Sequence, residues 1–183
     1  MRTMGLSLGL ALLCLLRVEA ENLGLTGLDK SKVIHHRKWY ITALASNSES
    51  YLQKKDKLKM AMANIVVLGE GNLKVSFAIP TAEGCQKSES IYRQTGIPGE
   101  YYSSGEGNKI ARVVDTDGKT YAVIFVSRVK DGKTLHMLRL YSRTRQVSPK
   151  IRALFKKLAR EKSFTNEMIR MLPSQDECSL DEA

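Results

Sequence analysis

Between Asn108 and Arg143, apolar and polar residues alternate in three runs, cut by Thr116-Asp117-Gly118-Lys119 and Lys130-Asp131-Gly132-Lys133. Asp-Gly between β-rich runs signals a tight hairpin, because a two-residue type I′ turn needs positive φ at both central positions. The pattern predicts a three-stranded antiparallel meander. With two-residue turns, Thr116 faces Lys119 and Lys130 faces Lys133. Counting outward then sets Lys109 opposite Val126, Val126 opposite Met137, and Ile124 between Ala111 and Arg139.

Side chains alternate faces with period two. Lys109, Ala111 and Val113 therefore share a face with Ala122, Ile124, Val126 and Arg128, and with Leu135, Met137 and Arg139. Three cations fall on one apolar face, on strands about 4.8 Å apart. Arg112 points to the other face with Ile110 and Val114, and that face also carries Tyr121, Val123, Phe125, Leu138 and Leu140. Most Lys and Arg in strands are ordinary solvated surface charge. A sheet apolar on both sides must bury both, however, and parity alone does not say which side encloses a cavity.

Upstream, Glu21 to Lys38 is polar and irregular, and Trp39 to Ala45 begins a strand. Lys57 to Leu68, Leu73 to Ile79, Gln86 to Gln94 and Glu100 to Ser103 alternate in the same way, with Gly-rich turns at Gly69-Glu70-Gly71-Asn72 and Gly96-Ile97-Pro98-Gly99. With the meander this makes eight short strands, the mark of a sandwich or an up-and-down barrel. One helix follows, from Ser148 to Lys162. Ser148 caps it, Pro149 suits the first position, and Ile151, Leu154, Phe155, Leu158 and Ala159 form one stripe. Lys150, Arg152, Lys156, Lys157 and Arg160 lie opposite, as a solvated face or as a contact for heparin-like polyanions or acidic surfaces.

Residues 1–20 combine an early arginine, an apolar run from Gly5 to Leu16 and a Val18-Glu19-Ala20 end, which is the pattern of a secretory signal peptide. Nothing later resembles a transmembrane segment. Cleavage removes Arg2, Arg17 and Glu19 and lowers the formal charge from +10 to +9, leaving one domain over 21–183. Cys14 leaves with the signal. Cys85 and Cys178 remain as an even pair in an oxidising compartment, so a disulfide is expected between them. No metal site or catalytic constellation is expected: His35 and His36 are neighbours near the start, and His136 alternates away from the cationic face. Nucleic acid is not an expected partner either, because the basic residues are not interleaved with exposed aromatics.

The signal peptide, the eight strands, the helix, Lys38-Trp39-Tyr40, Asp115-Thr116-Asp117 and Leu140-Tyr141-Ser142-Arg143 together resemble the lipocalin family, and within it the siderocalin type. Arg37 stands where the family's first motif has Gly. The resemblance implies an all-β, eight-stranded antiparallel barrel with the helix packed outside, its floor closed by Trp39 and covered by Arg143. It also turns the cationic face inward. Lys109, Arg128 and Arg139 match the calyx cations that bind ferric catecholate siderophores, with Ile124, Val126 and Met137 beside them for acidic lipid tails and Tyr92 and Tyr102 as further wall residues. Siderocalin-type relatives carry Trp where this chain has Ser88. Implied, then, is a secreted, monomeric carrier without a cofactor, in which iron enters only inside a bound siderophore. Enzymatic members work through a free cysteine in the barrel, and none is expected here.

Overall fold

The computed structural model describes residues 36–180 apart from Glu106, with side chains from Lys38 onward. The expected signal peptide, and His35 with it, lies outside these residues. Eight strands form a closed antiparallel ring: β1 (His36–Ser46), β2 (Ala61–Val67), β3 (Leu73–Thr81), β4 (Gly84–Gln94), β5 (Glu100–Ser103), β6 (Asn108–Thr116), β7 (Tyr121–Lys130) and β8 (Lys133–Ser142). Each pairs with the next, and β1 closes the ring by pairing with both β8 and β2. This is the expected up-and-down barrel.

Three details differ from the sequence reading. β1 begins at His36 rather than Trp39, because His36, Arg37 and Lys38 continue the ladder to Val66, Ile65 and Asn64. A short helix, α1 (Glu49–Lys54), bridges β1 and β2, and a ninth strand, β9 (Ile169–Met171), adds to β1. Both are too short to impose a periodic pattern on the sequence.

The two Asp-Gly turns behave differently. At the β7–β8 hairpin Lys130 pairs with Lys133, and Asp131 (φ 52°) and Gly132 (φ 75°) take the left-handed conformations of a two-residue type I′ turn. The β6–β7 loop is instead four residues long. The Asp117 carboxylate accepts backbone N–H bonds from Lys119 (2.9 Å), Thr120 (2.7 Å) and Tyr121 (3.1 Å), which holds open a wider loop. Thr116 therefore pairs with Ala122, and an irregularity at Val114 leaves Lys109 opposite Arg128, not Val126. Along the upper ladder the shift is two residues, so every side chain keeps its predicted face.

Helix α2 (Pro149–Glu161) starts at Ser148, whose hydroxyl accepts the Ile151 N–H at 3.3 Å. Phe155 and Ala159 are fully buried against Ala43, Val123, Leu138 and Leu140, on the outer faces of β1, β7 and β8. Burial of an aromatic side chain such as Phe155 contributes roughly 2–3 kcal/mol. Cys85 and Cys178 form a disulfide with Cα atoms 5.1 Å apart, fastening the C-terminal segment to β4. Its approach is set by Gln175, which donates to the Met60 carbonyl (3.0 Å) and accepts the Cys178 N–H (2.8 Å).

Candidate functional site

The inward faces of the strands enclose two adjoining spaces that share wall residues. The lower one, about 80 Å³, is apolar: Leu73, Val75, Val113 and Ala122 line it, and Trp39 and Tyr141 lie at its base. Trp39 is 3% exposed, and the Arg143 guanidinium lies 3.8 Å from its ring centre. Arg143 Nη1 also donates to the Lys38 carbonyl at 2.9 Å, which locks the guanidinium beneath the floor.

The upper space, about 450 Å³, opens at the far end. Its described walls hold six cations, Lys54, Lys59, Lys109, Arg128, Lys130 and Arg139, of which Lys59 is ion-paired with Glu177, and no carboxylate lines it. Lys109 and Arg128 face each other across the β6–β7 ladder, and both line this space. Gly107 packs beside Arg128. With φ at +94° and room for a Cβ only 3.4 Å from Arg128 Nε, glycine suits that position.

Arg139 borders both spaces, as do Phe77, Tyr92 and Val126. Its guanidinium carbon lies 5.3 Å from the Phe77 ring centre, Nε lies 3.1 Å from Met137 Sδ, and Nη1 reaches Tyr141 Oη at 3.5 Å. Burial alone pulls its pKa down, but the Tyr141 and Tyr92 oxygens outweigh that and hold it above the usual value. Arg139 is therefore a permanent charge on the boundary between an apolar chamber and a cationic one.

The other expected wall residues divide. Ile124 lines the lower space, Met137 the upper, and Val126 and Tyr92 both. Tyr102 does not reach the calyx. It pairs with Ile110 on the outer face, 38% exposed, and donates to Asn108 Oδ1 at 2.9 Å. Its neighbour Tyr101, opposite Ala111, is the residue that lines the lower space, and burial raises its phenol pKa. Pairing β5 with the inward Ala111 was the signal that separates the two tyrosines. Arg112 points outward as counted and binds Glu100 at 2.6 Å. His136 stacks on Phe125, with ring centres 5.3 Å apart, at the rim of the mouth. Ser88 lies on the wall of the upper space, opposite Phe77 across the β3–β4 ladder.

A hood over the mouth is also visible only in the structure. Tyr51, on α1, shares its one hydroxyl proton between the Met168 carbonyl (2.8 Å) and the Leu44 carbonyl (3.2 Å), and burial pushes its pKa up to about 12. These bonds fix α1 where Lys54 faces the opening.

Residues 36–176 match the family described as lipocalin / cytosolic fatty-acid binding protein. The chain is a lipocalin. This lipocalin is 56% identical to the extracellular fatty acid-binding protein of Gallus gallus, over 100% of the chain and 99% of that relative. It is 55% identical to the solved structure of the siderocalin Ex-FABP, described as functioning through dual ligand specificities, with a TM-score of 0.73 over 80% of this chain and 94% of that one. A more distant relative is the prostaglandin-H2 D-isomerase of Canis lupus familiaris, 31% identical over 77% of this chain and 76% of that protein. Like the chicken relative, this lipocalin is an extracellular protein. No described helix is long and apolar enough to cross a membrane.

Proposed function

We propose that this lipocalin sequesters or carries anionic small molecules in its calyx, ferric catecholate siderophores first and fatty acids or lysophospholipids second. The observation that carries the reading is the upper chamber's wall, which has six cations, Lys59 among them paired to a carboxylate outside the wall, and no carboxylate among its described lining residues. A concave site lined by one sign of charge, with low-dielectric walls, focuses its field and draws in counter-charged ligands. A ferric triscatecholate is a trianion with electron-rich rings, so Lys109, Arg128 and Arg139 meet it through charge and through cation–π contact. A volume of about 450 Å³ falls in the ordinary range of small-molecule sites.

Acidic lipids fit the same geometry differently. A carboxylate or phosphate head engages Arg139 at the boundary, and the tail passes down toward Ile124 and Val113 in the lower chamber. The name of the chicken relative, with its fatty acid ligand, supports this second ligand class. Ser88 in the upper wall leaves more room than an aromatic residue there, which favours a bulkier or differently seated chelate. Iron is part of the cargo, and the protein supplies only the charged cradle around it.

Catalysis of the isomerase kind does not fit this reading. Both described cysteines are consumed in the disulfide, so no thiol among the described residues faces the chambers. Native mass spectrometry of the secreted protein from its own source tests the proposal. A bound anionic chelate or lipid supports it. A neutral ligand, retained in the calyx at the same occupancy when Arg139 is changed to Met, contradicts it.

A further inference from the structure

The calyx does not account for the outer face of α2. Once Phe155 and Ala159 are docked, Lys150, Arg152, Lys156, Lys157 and Arg160 remain exposed along thirteen residues of helix, with Glu161 as the one acid. Arg152, Lys156 and Arg160 succeed one another at i, i+4 and i+8, so they form a single row about 12 Å long.

This arrangement works against the helix that carries it. Lys150 and Arg152 occupy the first turn, where the helix dipole favours acids, and no acid is present there. Like charges four residues apart repel each other. Elsewhere on the surface four cations are paired with carboxylates: Lys59 with Glu177, Lys74 with Glu89, Arg112 with Glu100 and Arg145 with Asp176. Lys150, Arg152, Lys156 and Lys157 have no carboxylate partner among the described residues, and Arg160 bonds only the Asn166 side-chain oxygen at 3.2 Å.

We infer that the outer row of α2 is a docking surface for a linear sulfated polysaccharide. A bilayer is the weaker fit, because a membrane-bound helix inserts an apolar face and that face of α2 is already spent on the barrel. Beyond Pro149, Ala153 is the one exposed apolar side chain on α2. A flexible polyanion with repeated sulfates needs only regularly spaced cations, and outside the cell sulfated polysaccharides are the polyanions of that form. The surface lies on the outside of β1, β7 and β8, so it is engaged whether the calyx is full or empty.

The test measures binding of a size-defined heparin oligosaccharide to the full secreted chain at several salt concentrations. The wild type is compared with Lys156→Glu/Arg160→Glu and with a control of equal charge change on exposed residues elsewhere, Arg93→Glu/Lys119→Glu. Counterion release makes such binding steeply salt-dependent, and the α2 variant is expected to bind roughly tenfold more weakly with a shallower salt slope, while the control keeps wild-type affinity. Thermal melts establish that both variants fold. Equal losses in the two variants would mean that net charge alone drives binding and would overturn the inference. So would α2-dependent binding to phosphatidylserine vesicles without oligosaccharide binding.

Discussion

Lys109 and Arg128 face each other directly across the β6–β7 ladder, both turned into the barrel. Both line the upper chamber, which Arg139 also borders, and that shared wall is the premise of the proposed anion site. The same relationship shows how a small error of register can be harmless. A shift of two residues moved Lys109 from Val126 to Arg128 without changing the face on which it lies.

The anchoring of α2 predicts the largest single loss of stability. Phe155 has no exposed surface, so Phe155→Ala is expected to cost about 3–5 kcal/mol. Chemical denaturation of the two proteins measures the difference. An unchanged midpoint would mean that α2 does not depend on this contact.

The disulfide closes 93 residues of chain. In the chain-entropy account a loop of that length contributes about 4.6 kcal/mol, so Cys85→Ser/Cys178→Ser is expected to melt well below the native protein. A thiol assay of the denatured, unreduced secreted protein is expected to find no free thiol from this pair. Two free thiols would contradict the bridge.

Glu100 and Arg112 give a pH-dependent contribution to stability. Hydrogen bonding to Arg112 holds the Glu100 pKa below its ordinary value, against the opposing effect of burial, with Thr95 helping at 3.0 Å. Glu100 is buried, while its partner Arg112 is more than half exposed. After allowing for screening, Arg112→Met is therefore expected to cost only about 1–2 kcal/mol. A group with a depressed folded pKa stabilises above its unfolded value and loses that effect as pH falls through the folded one. The gap between the two proteins is thus full above pH 4.5 and closes below it. Melting curves at pH 7 and across the acid range check this, and a gap that widens in acid would contradict it.

The two ligand classes separate at the lower chamber. Ala111 lines that space and not the upper one. Ala111→Phe is expected to fill much of it, weakening fatty acid binding at least about tenfold, the equivalent of roughly 1.4 kcal/mol, with ferric catecholate binding little changed. Parallel titrations of the two ligands read this out. Equal losses for both would mean that they share one space.

Much of this site was legible because hairpin parity is robust. Two Asp-Gly turns and a strict alternation placed Lys109, Arg128 and Arg139 on one face before any contact was known. The turn length was not legible, since it depends on Asp117 bonding three successive N–H groups. Tyr102 was misplaced because β5 has only four residues and no hairpin turn to set its phase. The hood over the mouth was hidden for another reason: Tyr51 holds α1 against the Leu44 carbonyl and the distant Met168 carbonyl, contacts that leave no periodic trace.

The most direct test of the calyx is a fluorescence-quenching titration of a ferric triscatecholate into wild type, Arg128→Glu and Arg93→Glu. Arg93, opposite the outward Tyr102, is the outward control; Arg112 does not serve, because reversing it would set a second carboxylate against Glu100. Removing one partner of a desolvated ion contact costs about 2–5 kcal/mol. Arg128→Glu is therefore expected to bind the chelate at least about thirtyfold more weakly, with a neutral fatty alcohol nearly unaffected and Arg93→Glu indistinguishable from wild type. If Arg128→Glu binds the chelate as tightly as wild type, or Arg93→Glu loses as much, the inward cations do not hold the ligand.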